Sequence, residues 1–194
     1  MTRLALSPTV VLLVLLLGGC SSPVAPSATV TISSSAPSTW RGLVIAEEDR
    51  CEPYDSRDYS YPQSLEDGII SRLGGLYSPY TGECFASKTE TDIEHIVARS
   101  EAHDSGLCSA DDATRRRFSQ DPANLTLASP SLNRQKSDKD AAEWLPDRNA
   151  CWFVSAVIDV RRNYSLTIDR LEADAIDRVL AACVSTGLEP SSCE

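Results

Sequence analysis

The sequence predicts an α+β domain. Three observations lead there: brief extended runs rich in β-branched or alternating residues, longer segments with apolar residues at helical spacing, and Gly or Pro punctuation between them. Ser64 can cap a first helix, on which Leu65, Ile69, Ile70 and Leu73 share one face until Gly74 and Gly75 stop it. "YSPYTGECF" then turns at Pro79 and Gly82 into a short strand. "TDIEHIVA" (91–98) reads as a second extended segment and "NLTLAS" (124–129), with Leu125 and Leu127 alternating against Thr126 and Ala128, as a third. Three helices follow. A short one spans about 140–145 and stops at Pro146. The next covers 149–163, with Trp152, Phe153, Ala156, Val157 and Val160 on its apolar face. The last starts at Asp169 with Glu172 completing a capping box, and carries a stripe of Leu171, Ala175, Ile176, Val179, Leu180 and Cys183.

The N-terminus reads as a targeting segment. Arg3 precedes an unbroken apolar stretch from Val10 to Leu17, too short to span a bilayer as a mature helix. It ends in "LGGC", which resembles a bacterial lipobox; the resemblance implies cleavage before Cys20, a lipid on its sulfur, and attachment to the outer face of the cell membrane. An ordinary secretory signal is the alternative. Residues 1–19 are thus a signal peptide, 20–39 an uncharged Ser/Thr/Pro-rich tether, and 40–194 the folded domain. Lipid on Cys20 leaves six of the seven cysteines, which in an exported chain reads as three disulfides. Zinc is the weaker explanation, since no CxxC pair occurs. Cys151 with Cys183 is the first pairing expected, each on a C-terminal helix.

The formal charge of −10 gives the chain no long-range attraction to nucleic acid or to anionic membranes. Any phosphate-binding function must come from a local group of cations or a metal.

The chemistry-bearing residues lie between 94 and 136. "DIEHIVARS" holds Glu94 and His95; "NLTLASPSLNRQKSDKD" holds Asn124, Asn133, Arg134 and Lys136. The order acid–His on an extended segment, Asn opening a strand, then Asn at the entry of a helix resembles the HNH nucleases, the ββα-metal family. The two stretches look most like the HNH domain of RNA-guided CRISPR nucleases. The run from "YPQSLEDGIISRLGG" to "AAEWLP" and beyond is similar to exported bacterial proteins of the HNH group. The resemblance implies an HNH core of short strands and a helix embedded in additional helices, and hydrolysis of phosphodiester bonds in DNA, with RNA also open, at low sequence specificity.

Such hydrolysis needs a deprotonated water and neutralisation of charge on the phosphate and the leaving group. A neutral imidazole, with a pKa of about 6.5, can take that proton; His95 is the candidate base. In the family pattern the strand asparagine, here Asn124, holds the ring. Glu94 and Asn133 offer a carboxylate and an amide oxygen to one divalent ion, Mg²⁺ first and Mn²⁺ or Zn²⁺ as alternatives. Lys136 and Arg134 would pair with the phosphate. Aspartate is commoner than glutamate before the family's histidine. Neighbours on a strand also point to opposite faces, so one site for 94 and 95 requires a bend or bulge. A lone strand histidine is usually structural, and Lys136 equally suits a solvated charge.

His103 reads as structural, and Glu101 and Asp104 as weaker candidates for supporting acids. Arg115–Arg116–Arg117 fits phosphate contact or a solvated helix face equally, and Arg161–Arg162 reads as a solvated edge. The substrate expected is DNA, with the membrane reached through the lipid and no protein partner evident. The second reading keeps the scaffold without the activity, as a binding or envelope module.

Overall fold

Residues 37–193 are described by a computed structural model. The signal peptide, the Cys20 lipidation site and the tether up to residue 36 lie outside the described residues. The end of the expected tether is already ordered: Thr39–Trp40 (β1) pairs with Leu43–Val44 (β2), and Ser38 accepts a bond from the Ile45 amide. Among the described residues no helix is long and apolar enough to cross a membrane.

The fold is α+β, with helices around two small antiparallel sheets. Helix α1 (Leu65–Leu73) ends where Gly74 takes a left-handed conformation (φ 75°), a backbone state that favours glycine. Ile69 and Leu73 are buried from it, as the periodicity requires. The strand expected after Gly82 is reduced to a single bridge, Tyr77 with Cys84. The tight turn at 78–82 consumes the residues a longer ladder would use.

Strand β3 (Asp92–His95) pairs with β4 (Leu125–Ala128), with Ile93 opposite Leu127 and His95 opposite Leu125. Ile93, Leu125 and Leu127 pack on α1 beside Tyr77. Between the strands run α2 (Arg99–Asp104) and α3 (Asp112–Gln120), the latter capped by the Asp111 side chain on the Thr114 amide.

Helix α4 (Pro130–Lys136) follows β4 directly. Ser129 caps it through Leu132 N–H, and Pro130 sits in the first turn, where its missing donor costs nothing. Asn133 therefore lies within a helix. The helix expected at about 140–145 is only a turn, because the Asp140 carboxylate captures the Ala142 and Glu143 amides.

Helices α5 (Ala150–Asn163) and α6 (Arg170–Leu180) close the chain. Phe153, Val157 and Val160 are buried from α5 and Ala173 and Ile176 from α6, packing with Phe118, Ile96 and Val97 in the main core. Asp169 caps α6 through Glu172 N–H, but the Glu172 side chain turns inward rather than back to the cap, and Leu171 is 74% exposed rather than part of the stripe. Three disulfides join Cys51 to Cys108, Cys84 to Cys193 and Cys151 to Cys183. The last is the pair expected, although Cys183 lies just past the end of α6.

Arg161 corrects an expectation. It is 1% exposed, not a solvated edge. Its Nη2 lies 2.6 Å from both Glu101 and Glu172, and its Nη1 donates to Ser105 and to the Thr167 carbonyl. The cation is buried because carboxylates from α2 and α6 meet it there.

Candidate active site

Glu94 and His95 both line one cavity of about 160 Å³, together with Asn133 from α4. The strand pairing is unbroken from Asp92 to His95, so no bulge brings the two together. The cavity sits over the end of β3, and its wall includes Ile93, Ala98 and Arg99 as the chain turns into α2. There, side chains from both faces of the strand reach it.

His95 is 5% exposed. Its Nε2 lies 2.9 Å from the Ser119 carbonyl at the end of α3, and a carbonyl can only accept. The proton is therefore on Nε2 and the lone pair on Nδ1. The Tyr61 ring meets the imidazole edge-on at 5.0 Å, and Phe118 stacks on it at 6.4 Å. Burial lowers the imidazole pKa to about 3 against a pull upward from the Ser119 carbonyl, so the ring is neutral at physiological pH.

Asn124 does not touch the ring. Fully buried, it accepts from Val97 N–H through Oδ1 (2.8 Å) and donates from Nδ2 to Val97 C=O (3.2 Å). Its own carbonyl accepts from Ile96 N–H. The side-chain amide thus acts as an extra peptide unit that extends the β3–β4 ladder past its last pair and fixes the backbone immediately after His95.

Glu94 is 4% exposed and pairs with Lys136 Nζ at 2.8 Å. Burial pushes its carboxyl up, and Lys136 pulls it back down. Lys136 is itself 0% exposed and donates to the His95 carbonyl at 3.0 Å. A buried ammonium already engaged by Glu94 and His95 is not free for a phosphate, and Arg134 is exposed and outside the cavity wall. The sequence expectation for these two residues as phosphate ligands thus meets a different geometry: Lys136 holds β3 to α4.

Asn133 donates from Nδ2 to Asp92 at 3.0 Å, and Oδ1 accepts no hydrogen bond among the described residues. Asp92, Tyr61, Tyr54 and Arg99 were not singled out from sequence. Asp92 could have been found, since it lies two residues before Glu94 and so shares its strand face. Tyr54 and Tyr61 carry no local signal, because they come from a loop far upstream.

His103 is fully buried, within hydrogen-bond reach of Tyr59 Oη (2.9 Å) and the Glu52 carbonyl (2.8 Å), a structural placement. Arg115 pairs with Glu52 and Asp58. Among the described residues, Glu48, Asp140 and Asp169 bring carboxylate oxygens within 4.8 Å of one another, in a different cavity from Glu94 and His95. Burial and the neighbouring Glu101 push Glu48 up to about 8, and burial pushes Asp140 up to about 6.

Strands β3 and β4 pair across the inserted α2 and α3, α4 follows β4 at once, and an acid–His pair on the first strand shares a cavity with an asparagine on the helix, the layout expected of an HNH-type nuclease domain. Residues 54–174 match the GmrSD restriction endonucleases, C-terminal domain; this is more than half of the chain, and the chain belongs to that family. A curated relative, an uncharacterized secreted protein of Arthroderma benhamiae, is 29% identical over 123 residues, covering 61% of this chain and 60% of the relative. The match thus spans less than two thirds of the relative's length. No solved structure matches the chain.

Proposed function

We propose that this protein is a metal-dependent endonuclease that hydrolyses phosphodiester bonds of DNA, and of RNA where the strand can reach the cavity, with low sequence specificity. The observation that carries the reading is the convergence of a neutral imidazole, a carboxylate and a side-chain amide on one cavity of a chain in this family.

His95 is the general base. The carbonyl bond at Nε2 leaves the lone pair on Nδ1 to accept a proton, and Tyr61 and Phe118 restrict the ring. Asn124 acts on it indirectly, by holding the turn at Val97. Glu94 and Asn133 fit a small divalent cation by their chemistry: both line the cavity and carry hard oxygen donors, and the bond to Asp92 occupies the Asn133 nitrogen and leaves its oxygen available. When bound there, Mg²⁺, or Mn²⁺ or Zn²⁺ in its place, would supply charge neutralisation at the phosphate and the leaving oxygen. Lys136 keeps Glu94 in place. Export with a lipid on Cys20 belongs to the same proposal, and the three disulfides and the secreted relative support export.

The test is plasmid digestion by the mature protein with each of the three ions and with chelator. His95→Ala is expected to lower cleavage by about 10²- to 10⁴-fold, and Asn133→Ala to raise the metal concentration required. Full cleavage by His95→Ala, or cleavage undiminished by chelator, overturns the mechanism.

One observation favours the second reading, an inactive scaffold used for binding. The Glu94 carboxylate already has a buried ammonium as its counter-charge, so it is balanced without a metal. A folded protein that cuts no plasmid with any of the three ions would support that reading.

A further inference from the structure

Resting on the nuclease reading, we infer that Arg99, laid on the face of Tyr61, is the cation that grips the substrate phosphate in this cavity. Among the residues lining it, Arg99 is the one permanent cation; Glu94 and Asp138 are acids and His95 is neutral. Lys136 is sealed behind Glu94, and Arg134 lies outside the wall.

Arg99 is also held in a usable pose. Its guanidinium carbon stands 5.1 Å from the Tyr61 ring centroid, and Nη1 donates to the Tyr59 carbonyl at 3.2 Å. No carboxylate pairs with it among the described residues, unlike Arg115 and Arg161. The bond at Nη1 leaves the Nε–Nη2 edge, two parallel N–H donors matching two oxygens of a phosphodiester. Tyr61 packs against the His95 ring in a T-shaped contact while lying under Arg99, so one tyrosine fixes both the cation and the base. Arg99 lines the same cavity as Glu94 and His95, beside the groups assigned to the chemistry. An otherwise acidic protein thereby places a cation in the cavity where a phosphate must sit for His95 to act on its attacking water.

The test is metal-free binding of a fluorescein-labelled 20-base-pair duplex and the matching single strand, followed by anisotropy in EDTA across KCl concentrations of about 10 to 100 mM. Phosphate contacts make log K fall with log salt by about 0.9 per contact on duplex and about 0.7 on single strands. Arg99→Gln is expected to weaken binding about tenfold or more and to flatten the slope by about one contact. Arg99→Lys should regain the slope but only part of the affinity, and Tyr61→Leu should weaken binding with the slope unchanged. A native slope in folded Arg99→Gln overturns the inference. So does loss of that contact in Arg134→Gln instead, or an absence of wild-type binding at the lowest salt. Plasmid cleavage is read separately: a wild type that binds through Arg99 yet never cuts removes the nuclease reading and leaves Arg99 as a nucleic-acid contact.

Discussion

Replacing Arg161 with methionine is the sharpest perturbation of this fold. The guanidinium is 1% exposed and shared by Glu101 and Glu172, themselves 6% and 1% exposed. Methionine fills similar space but strands two carboxylates in the interior. Removing one partner of a buried pair costs about 3–5 kcal/mol. For a domain of this size each kcal/mol lowers Tm by about 2–4 °C, so a fall of roughly 6–20 °C is expected near pH 8. The loss should depend on pH in a definite direction. Burial already pushes Glu172 up to about 7, with Arg161 pulling it down; Glu101 and Asp140 push it up as well. Without Arg161 it must rise further. A carboxyl whose folded pKa lies above its ordinary 4.5 favours the folded state at low pH, and that advantage disappears as pH rises through the folded value. The deficit should therefore be largest at pH 8 and shrink toward pH 5, where Glu172 is neutral. Thermal unfolding by circular dichroism at the two pH values measures it, and adding Glu101→Gln with Glu172→Gln should restore most of the lost Tm at pH 8. A deficit below about 1 kcal/mol, or one equal at pH 5 and pH 8, refutes the reasoning that uncompensated charge is the cost.

Asn124→Ala should destabilise the domain by about 2–4 kcal/mol, because the Val97 amide and carbonyl both lose their partner in a dry interior. Plasmid cleavage should fall with it as the turn after His95 loosens, and unfolding and turnover measured on the same variant check both. Replacing Cys151 and Cys183 by serine opens a loop of sequence separation 32, worth about 3–4 kcal/mol in chain entropy. A Tm loss of roughly 10 °C is expected by calorimetry; an unchanged Tm would mean that α5–α6 packing alone holds the C-terminus.

Local patterns were readable and distant partners were not. The period of Phe153, Val157 and Val160 revealed α5 because those residues all face the same core. The alternation of Leu125 and Leu127 revealed β4 for the same reason. Arg161 looked like a solvated edge, since its acids come from separate helices and no window contains them all. The short helix begins earlier than its apolar pattern indicates, because Ser129 caps it with Pro130 in the first turn, while Asp140 favours a turn downstream. In the site, Glu94, His95 and Asn133 were legible as residue types in order, and the structure brings them to one cavity. Asn124 acts on backbone rather than on the ring, and Lys136 is interior. Both outcomes follow from hydrogen-bond accounting in a buried hairpin, which sequence order does not express.

The bridges from 51 to 108 and from 84 to 193 overlap. A protease that clips any single peptide bond between residues 51 and 193 thus leaves two pieces still joined by a cystine. Outside a cell, where proteases are abundant, such a nicked molecule would keep its fragments together, and only clipping combined with a reductant would separate them.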